Sequence, residues 1–146
     1  MQGDIVMLIS TKGRYALRVL IELAETTGAK SYRRLDSVAQ AQGISEKYLE
    51  SIVNLLMKAG LLEGLRGRGG GYRLTKAPKD YTIREILEVT EGSLAPVSCI
   101  ECQDGHCVRE DICKTLPMWN QLSSVINNYL EGISLQDLID GEKFKK

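Results

Sequence analysis

The chain has 146 residues, of which 43% are hydrophobic and 26% are charged, as in an ordinary soluble globular domain. A domain of this length buries roughly 68 to 70% of its unfolded surface, so it needs no disulfides to fold. No run approaches the roughly 18 apolar residues that cross a bilayer. The apolar stretch at residues 5–9 lacks a basic leader and a cleavage site. We therefore expect a cytoplasmic protein without a membrane segment.

The net charge of zero conceals an asymmetry between the two halves of the chain. Residues 1–80 carry 13 Lys and Arg against 8 Asp and Glu, whereas residues 81–146 carry 6 against 11. A basic first half suits a surface that binds a polyanion, and an acidic second half would be kept away from it. Two solvated faces of one domain would give the same counts.

The first half has the pattern of three helices. Apolar residues spaced by three and four predict a helix over residues 11–26, and a shorter one over residues 35–42 that ends at Gly43. Ser45 can cap a third helix, which runs to Ala59 and is ended by Gly60. A short helix, a turn with glycine and a capped helix are typical of a helix-turn-helix, although two helices of a bundle would look alike.

Two short apolar runs follow at residues 61–74, joined by a tip of glycine and arginine, and they predict a β-hairpin. The glycines supply positive φ, while Arg66, Arg68 and Arg73 place cations on or near the tip. A hairpin after a helix-turn-helix is a wing, and its arginines suit a minor groove or phosphates. A nucleotide-binding loop is disfavoured, because the run lacks both a Gly-Lys-Ser/Thr ending and a complete dinucleotide fingerprint.

A turn at residues 77–80 leads into the second half, where Thr82 caps a helix that ends near Gly92. A long helix follows from about Pro117 to residue 131, with an apolar stripe formed by Trp119, Leu122, Val125, Ile126, Tyr129, Leu130 and Ile133. Such a stripe suits dimerisation, although it could also pack on its own domain. Residues 134–140 predict a short final helix.

All four cysteines fall in one short segment, at Cys99, Cys102, Cys107 and Cys113. Clustered thiols in a reducing compartment indicate metal or redox chemistry rather than disulfides. Their C-x2-C-x4-C-x5-C spacing offers enough sulfurs for an iron–sulfur cluster or a tetrahedral zinc ion. Cys99 and Cys102 also form the C-x-x-C pair of cluster carriers and thiol oxidoreductases, but no thioredoxin-like βαβ pattern precedes them.

Three sequence blocks, at residues 10–18, 43–50 and 66–72, resemble the Rrf family of bacterial winged-helix transcriptional regulators. These are IscR-, NsrR- and CymR-like proteins, and the chain is most similar to the cysteine-containing, cluster-binding members. The resemblance implies a mainly α fold: a winged helix-turn-helix with a small β-hairpin wing, a cysteine loop and a long C-terminal dimerisation helix. The segments we expect are an N-terminal extension (1–6), the DNA-binding domain (7–80), a connecting helix with the cysteine loop (81–115), the dimerisation and final helices (116–140) and a charged tail (141–146).

The resemblance further implies a non-enzymatic regulator, expected to be a repressor, that binds palindromic promoter DNA as a homodimer. The second helix of the helix-turn-helix would enter the major groove, and the wing arginine would enter the minor groove. Carried over by motif, the DNA-binding residues are Ser10, Thr11 and Lys12 near phosphates, Ser45, Lys47, Tyr48 and Glu50 on the reading face, and Arg66 and Arg68 on the wing.

Cluster-binding members carry three cysteines, which Cys99, Cys107 and Cys113 match. The positions that supply a fourth ligand in such members correspond here to Leu116 and Arg14, so that ligand stays open. The choices are Cys102, which we favour, or His106, Asp104 and Glu101. We expect a 2Fe-2S cluster, with a 4Fe-4S cluster or zinc as alternatives. Since some members work without a cluster, a thiol- or sulfur-responsive regulator is the second interpretation, and a cluster carrier or thiol oxidoreductase is the third.

Overall fold

The computed structural model describes residues 9–27, 31–101, 109 and 111–146. Its elements are α1 (Thr11–Thr27), α2 (Leu35–Gln42), α3 (Glu46–Lys58), β1 (Leu62–Leu65), β2 (Gly71–Leu74), a 3-10 turn (Pro78–Asp80), α4 (Ile83–Glu91), α5 (Ser98–Glu101), α6 (Leu116–Glu131), α7 (Leu135–Asp140) and a second 3-10 turn (Glu142–Phe144). The predicted mainly α winged helix-turn-helix is confirmed. The predicted extension at residues 1–6 lies outside the described residues.

The helices begin and end at the residues that local chemistry favours. The Ser45 hydroxyl accepts a hydrogen bond from the Tyr48 N–H at 3.2 Å and caps α3, as predicted. Thr82 caps α4 in a capping box with Glu85. Gly43 ends α2 in the left-handed region, with φ at 65°. α3 ends at Lys58, one residue before the predicted Ala59.

The wing is an antiparallel hairpin whose register pairs Leu62 with Leu74 and Leu65 with Gly71. Backbone hydrogen bonds also join Tyr72 to Arg33, at 2.8 and 2.9 Å, so the segment before α2 lies against β2. Gly71 has φ at 139°, and a Cβ there would lie 2.2 Å from the Arg33 carbonyl oxygen. Only glycine permits this close approach, which fixes the wing relative to α2.

Tyr81 anchors the base of the wing. Its side chain is fully buried, and its hydroxyl donates to the Leu61 carbonyl at 2.7 Å. The same oxygen accepts the Thr75 N–H at 2.9 Å. Because Leu61 precedes β1 and Thr75 follows β2, one phenol holds both ends of the hairpin.

A single core joins the helix-turn-helix to the helices that follow the wing. Its buried residues from the second half of the chain are Tyr81, Ile83, Ile86, Leu87, Ile133 and Leu135. The Ile83 N–H donates to the Ile133 carbonyl at 2.9 Å, and the Leu135 N–H donates to the Tyr81 carbonyl at 3.0 Å. The core therefore continues across residue 80, and the end of α6 is fixed beside the start of α4.

Helix α6 keeps an uncovered apolar face. All 16 of its positions are described and none is buried. Met118, Val125 and Tyr129 are 52%, 64% and 61% exposed, whereas Leu130 packs against the core. The predicted stripe is thus divided between a side toward the core and a side that no described residue covers. Within the described ranges, no helix is long and apolar enough to span a membrane.

Candidate nucleic-acid interface

Helix α3 presents a polar face to solvent and an apolar face to the core. Its buried residues are Leu49, Ile52, Val53 and Leu56. Lys47 and Glu50, predicted to read bases, are both exposed on the outer side. Ser45 is exposed at the start of the helix and accepts the capping bond, which leaves its hydroxyl hydrogen to donate elsewhere. The N-cap and first two turns of α3 thus offer a donor, a cation and a carboxylate to solvent.

Tyr48, the remaining predicted reading residue, is only half exposed. Its ring meets that of Tyr15 edge-on, with centroids 5.9 Å apart. The Arg18 guanidinium lies 5.0 Å from the centre of the Tyr15 ring, and Arg18 also bonds Gln42 at the end of α2. Tyr48 therefore braces α3 against α1, and a direct contact with DNA stays a prediction.

The tip of the wing carries two available cations. Arg66 and Arg68 are exposed, and neither forms an ion pair or hydrogen bond with any described residue. Gly67 and Gly69 have φ of 90° and 77°, which lets the tip turn sharply. A Cβ on Gly70 would lie 2.2 Å from the Leu65 carbonyl oxygen, so the tip closes against its own backbone.

Arg73, predicted to place a cation on or near the tip, lies on β2 and is engaged within the hairpin. Its guanidinium pairs with Glu63, the residue directly opposite on β1. It also lies 4.4 Å from the centre of the Tyr32 ring. Arg73 therefore stabilises the hairpin by a cross-strand pair and a cation–π contact.

The start of α1 brings together the predicted phosphate contacts and one residue that sequence reasoning missed. Ser10 and Thr11 are exposed, and Lys12 is half-buried. The Ser10 hydroxyl and N–H donate to one carboxylate oxygen of Glu91, at 2.7 and 3.0 Å. Glu91 stands 81 residues away at the end of α4. No local pattern marks such a contact.

A groove of about 460 Å³ separates the wing from the first turns of α2 and α3. Its lining residues are Arg34, Leu35, Asp36, Glu46, Leu65 and 67–71. Arg34 bonds both Asp36 carboxylate oxygens, at 3.2 and 3.1 Å. The hydrogen bond from Arg34 lowers the pKa of Asp36, and the same bond raises the pKa of Arg34. Neither residue belonged to the predicted interface.

The cysteine segment is described only in part. Cys102 and Cys107 lie outside the described residues, and of Cys99 only the helical backbone within α5 is described. Among the described side chains, no three potential metal ligands lie together. The predicted four-cysteine centre therefore stays a prediction.

Cys113, just before α6, has a surrounding that favours its thiolate. The half-buried sulfur lies 3.3 Å from the Thr115 hydroxyl. That hydrogen bond, and then the backbone N–H groups of Thr115 and Leu116, hold the pKa of the Cys113 thiol below its ordinary value. The thiolate is the form that binds metals and attacks oxidants.

Comparison with known sequences places this geometry in a family. The Rrf2 family model, described as an iron-dependent transcriptional regulator, matches residues 9–141. The HTH-type transcriptional regulator CymR of Bacillus subtilis is 38% identical over 140 residues, which is 94% of this chain and 95% of that protein. The HTH-type transcriptional regulator IscR of Aliivibrio salmonicida is 35% identical over 137 residues, which is 93% of this chain and 80% of that protein.

Solved structures agree over nearly the whole chain. The structure of CymR, described as the global cysteine regulator of B. subtilis, matches with a TM-score of 0.72 at 33% identity, covering 97% of this chain and 100% of that one. IscR of T. potens matches with a TM-score of 0.71 at 32% identity, covering 99% and 95%. These relatives are transcriptional regulators and not enzymes. The chain therefore belongs to the Rrf2 family of winged-helix transcriptional regulators.

Proposed function

We propose that this regulator represses transcription by binding operator DNA as a homodimer, and that an iron–sulfur cluster on its cysteine segment (residues 99–113) controls the binding. One observation supports the DNA interface above all others. The start of α3, at Glu46, and the wing tip with its unpaired Arg68 border the same groove. That is the arrangement in which a helix enters the major groove while a wing contacts the neighbouring backbone or minor groove.

The exposed groups of this interface have complementary partners on DNA. Glu50 is suited to accept from the amino group of cytosine, and Lys47 is suited to donate to guanine. Arg66 suits a narrow minor groove, where the negative potential is strongest. The Thr11 hydroxyl can donate to a phosphate, and Ser10 can do so when it releases Glu91; such contacts position the protein without reading sequence. The interface therefore combines base-reading groups with groups that bind the backbone.

The uncovered face of α6 supports the homodimer. Met118, Leu122, Val125 and Tyr129 follow one another at spacings of four, three and four, the pattern by which helices pair along a seam. Three of the four side chains are more than half exposed in this chain. A second copy is the partner whose matching face could cover them. The dimer would then present two α3 helices to half-sites about 34 Å apart.

The residues that are present fit an iron–sulfur cluster in their chemistry. Thiolates are the usual ligands of such clusters, and the donors around Cys113 favour that form. When bound, a cluster supplies sensitivity to iron, oxidants or nitric oxide. The cysteine segment lies in the connection between the end of α4 at Glu91 and the start of α6 at Leu116. Ligation can therefore change how the winged domain is held against the dimer helix, and such coupling commonly amounts to about 5- to 150-fold in affinity.

The test compares operator affinity for three proteins kept without oxygen and loaded with iron and sulfide. An operator duplex is first selected from a random pool. Cys107→Ala should lose the cluster and shift operator affinity by at least fivefold, whereas Ile112→Ala, at a 68% exposed position in the same segment, should match wild type. Equal affinity for Cys107→Ala and wild type, with the cluster absent from the variant, would refute control by the cluster.

A second candidate is favoured by the similarity to CymR. A regulator at 38% identity that is described as the global cysteine regulator supports a sensor of thiol or sulfur status that holds no cluster. The pKa-lowering surroundings of Cys113 suit that chemistry as well. Zinc held by the four thiols would instead be a structural staple. Iron, sulfide and zinc per chain distinguish the three, since only the cluster requires both iron and sulfide and only the staple requires zinc.

A further inference from the structure

The groove between the wing and the helix-turn-helix contains a charged pair that the proposed contacts leave unused. Its walls come from the first turns of α2 and α3 on one side and from the wing tip on the other. Arg34 stands on the helical wall and Arg68 on the wing wall. The Arg34 side chain is 77% exposed although it is paired with Asp36. The groove is therefore lined by a cation on each side.

If the interface proposed above binds DNA, the position of this groove indicates which part of the DNA would lie in it. If α3 occupies a major groove and the wing tip contacts the adjacent minor groove, one phosphodiester strand separates the two. That strand must cross the space between α3 and the wing tip. A polyanionic strand requires cations there, and Arg34 and Arg68 are the only cations among the described lining residues.

We propose that Arg34 is a DNA-backbone contact, that it holds one phosphate together with Arg68, and that Asp36 is the internal counter-ion that this phosphate replaces. The proposal rests on the DNA interface proposed above. It adds a residue that neither the sequence motifs nor the resemblance assigned.

The geometry of the pair suits such an exchange. Arg34 donates to Asp36, two residues away, through Nε and Nη2. The same pair of guanidinium N–H groups can bind a phosphate in a bidentate contact. One Asp36 oxygen also accepts the Ser37 N–H at 2.7 Å. Asp36 can therefore stay at the start of α2 when Arg34 turns to the strand. Exposed ion pairs contribute little stability, so a phosphate can compete for Arg34.

A purely structural role makes a different prediction. Arg34 occupies the N-cap of α2, yet its side chain makes no capping bond. If the pair only stabilised α2, loss of either partner would lower the unfolding temperature and leave the salt dependence of DNA binding unchanged. A phosphate contact instead contributes about 0.9 to the slope of log affinity against log salt.

The experiment measures the affinity of the purified full chain for an unrelated duplex and for a selected operator, from about 50 to 200 mM salt. Arg34→Gln should weaken binding to both duplexes and make the slope shallower by about 0.9 per chain. Asp36→Asn should tighten binding to both at every salt concentration. The matched control is Lys145→Gln, which also removes a cation from an exposed pair but lies in the C-terminal turn. It should reproduce the wild-type slope.

The outcomes separate this inference from the interface on which it rests. A wild-type slope for Arg34→Gln, while Arg66→Ala still weakens operator binding, would overturn the role of Arg34 alone. Weaker binding by Asp36→Asn would overturn its role as a competing counter-ion. If wild type binds neither duplex, the proposed function fails with it. Thermal unfolding of each variant identifies any loss of DNA affinity that arises from misfolding. The tighter binding expected of Asp36→Asn could not result from misfolding.

Discussion

Glu91 accepts two hydrogen bonds from Ser10 through a single carboxylate oxygen, from the hydroxyl at 2.7 Å and from the N–H at 3.0 Å. The contact joins the last residue of α4, which residues 92–98 connect to the cysteine segment, to the start of α1, where phosphates are expected. A Cβ on Gly13 would lie 2.3 Å from the same oxygen, so a glycine there makes room for the carboxylate. The pair is a direct link between the expected sensor segment and the expected DNA surface.

Glu91→Gln should therefore weaken the coupling between the cysteine segment and the DNA surface at the start of α1. The amide keeps an acceptor for Ser10 but removes a negative charge that would repel a phosphate at the start of α1. We expect tighter operator binding by the cluster-free protein, and a ratio of cluster-loaded to cluster-free affinity that falls from about 5- to 150-fold toward unity. Fluorescence anisotropy of a labelled operator duplex in both states measures the ratio.

The matched control is Glu88→Gln, which removes the same charge from the same helix, where Glu88 pairs with Arg84. It should keep the wild-type ratio. A ratio as large in Glu91→Gln as in wild type would show that the charge of Glu91 carries no coupling.

Tyr81→Phe should destabilise the protein by about 1 to 3 kcal/mol, since it leaves the Leu61 carbonyl and the Thr75 N–H without their buried partner. Urea unfolding measures the change. Tyr32→Phe is the control, because the Tyr32 hydroxyl makes no hydrogen bond with a described residue. Equal stability of the two variants would mean that the phenol does not anchor the wing.

Val125→Glu should convert the proposed homodimer to a monomer at micromolar concentration. The substitution places a charge at the centre of the exposed α6 face and removes the burial of a Val, worth about 1.5 to 3 kcal/mol per chain in a sealed interface. Sedimentation velocity distinguishes the two states. Asn120→Glu adds the same charge on the opposite side of α6 and should stay dimeric. An unchanged sedimentation coefficient for Val125→Glu would place the dimer interface elsewhere.

Arg66→Ala should weaken operator binding by roughly 5- to 150-fold, the usual range for one specific contact, with a smaller loss on an unrelated duplex. The reason is that a narrow minor groove depends on sequence, whereas the phosphate charge does not. Affinities for both duplexes at one salt concentration provide the comparison. Equal losses on the two would reduce Arg66 to a phosphate contact.

The elements that sequence predicted correctly are those that local chemistry determines. Ser45 and Thr82 cap their helices because each has a first-turn N–H within reach of its own hydroxyl. The wing followed from glycines that adopt positive φ at Gly67 and Gly69. The family motifs added the expected DNA-facing residues, of which Lys47, Glu50, Arg66 and Arg68 are all exposed.

The residues that sequence analysis missed act through contacts between distant segments. In the sequence, Glu91 is simply the last residue of an amphipathic helix; only the fold places Ser10 within hydrogen-bonding distance of it. Arg73 looks like its neighbours at the tip, and only the strand register places it opposite Glu63. The proposed role of Arg34 depends on the wing, which faces it across the groove. Pairings of this kind depend on tertiary packing, which no periodicity encodes.

The central claim is that a cluster on the cysteine segment controls operator affinity. The most direct measurement is operator affinity on one anaerobic preparation, before and after cluster removal, with iron, sulfide and zinc assayed per chain. We predict iron with matching sulfide, visible absorption, and an affinity change of about 5- to 150-fold on removal. Zinc alone, or no metal, together with one operator affinity throughout, would contradict the claim and leave a winged-helix regulator that senses through its thiols or another signal.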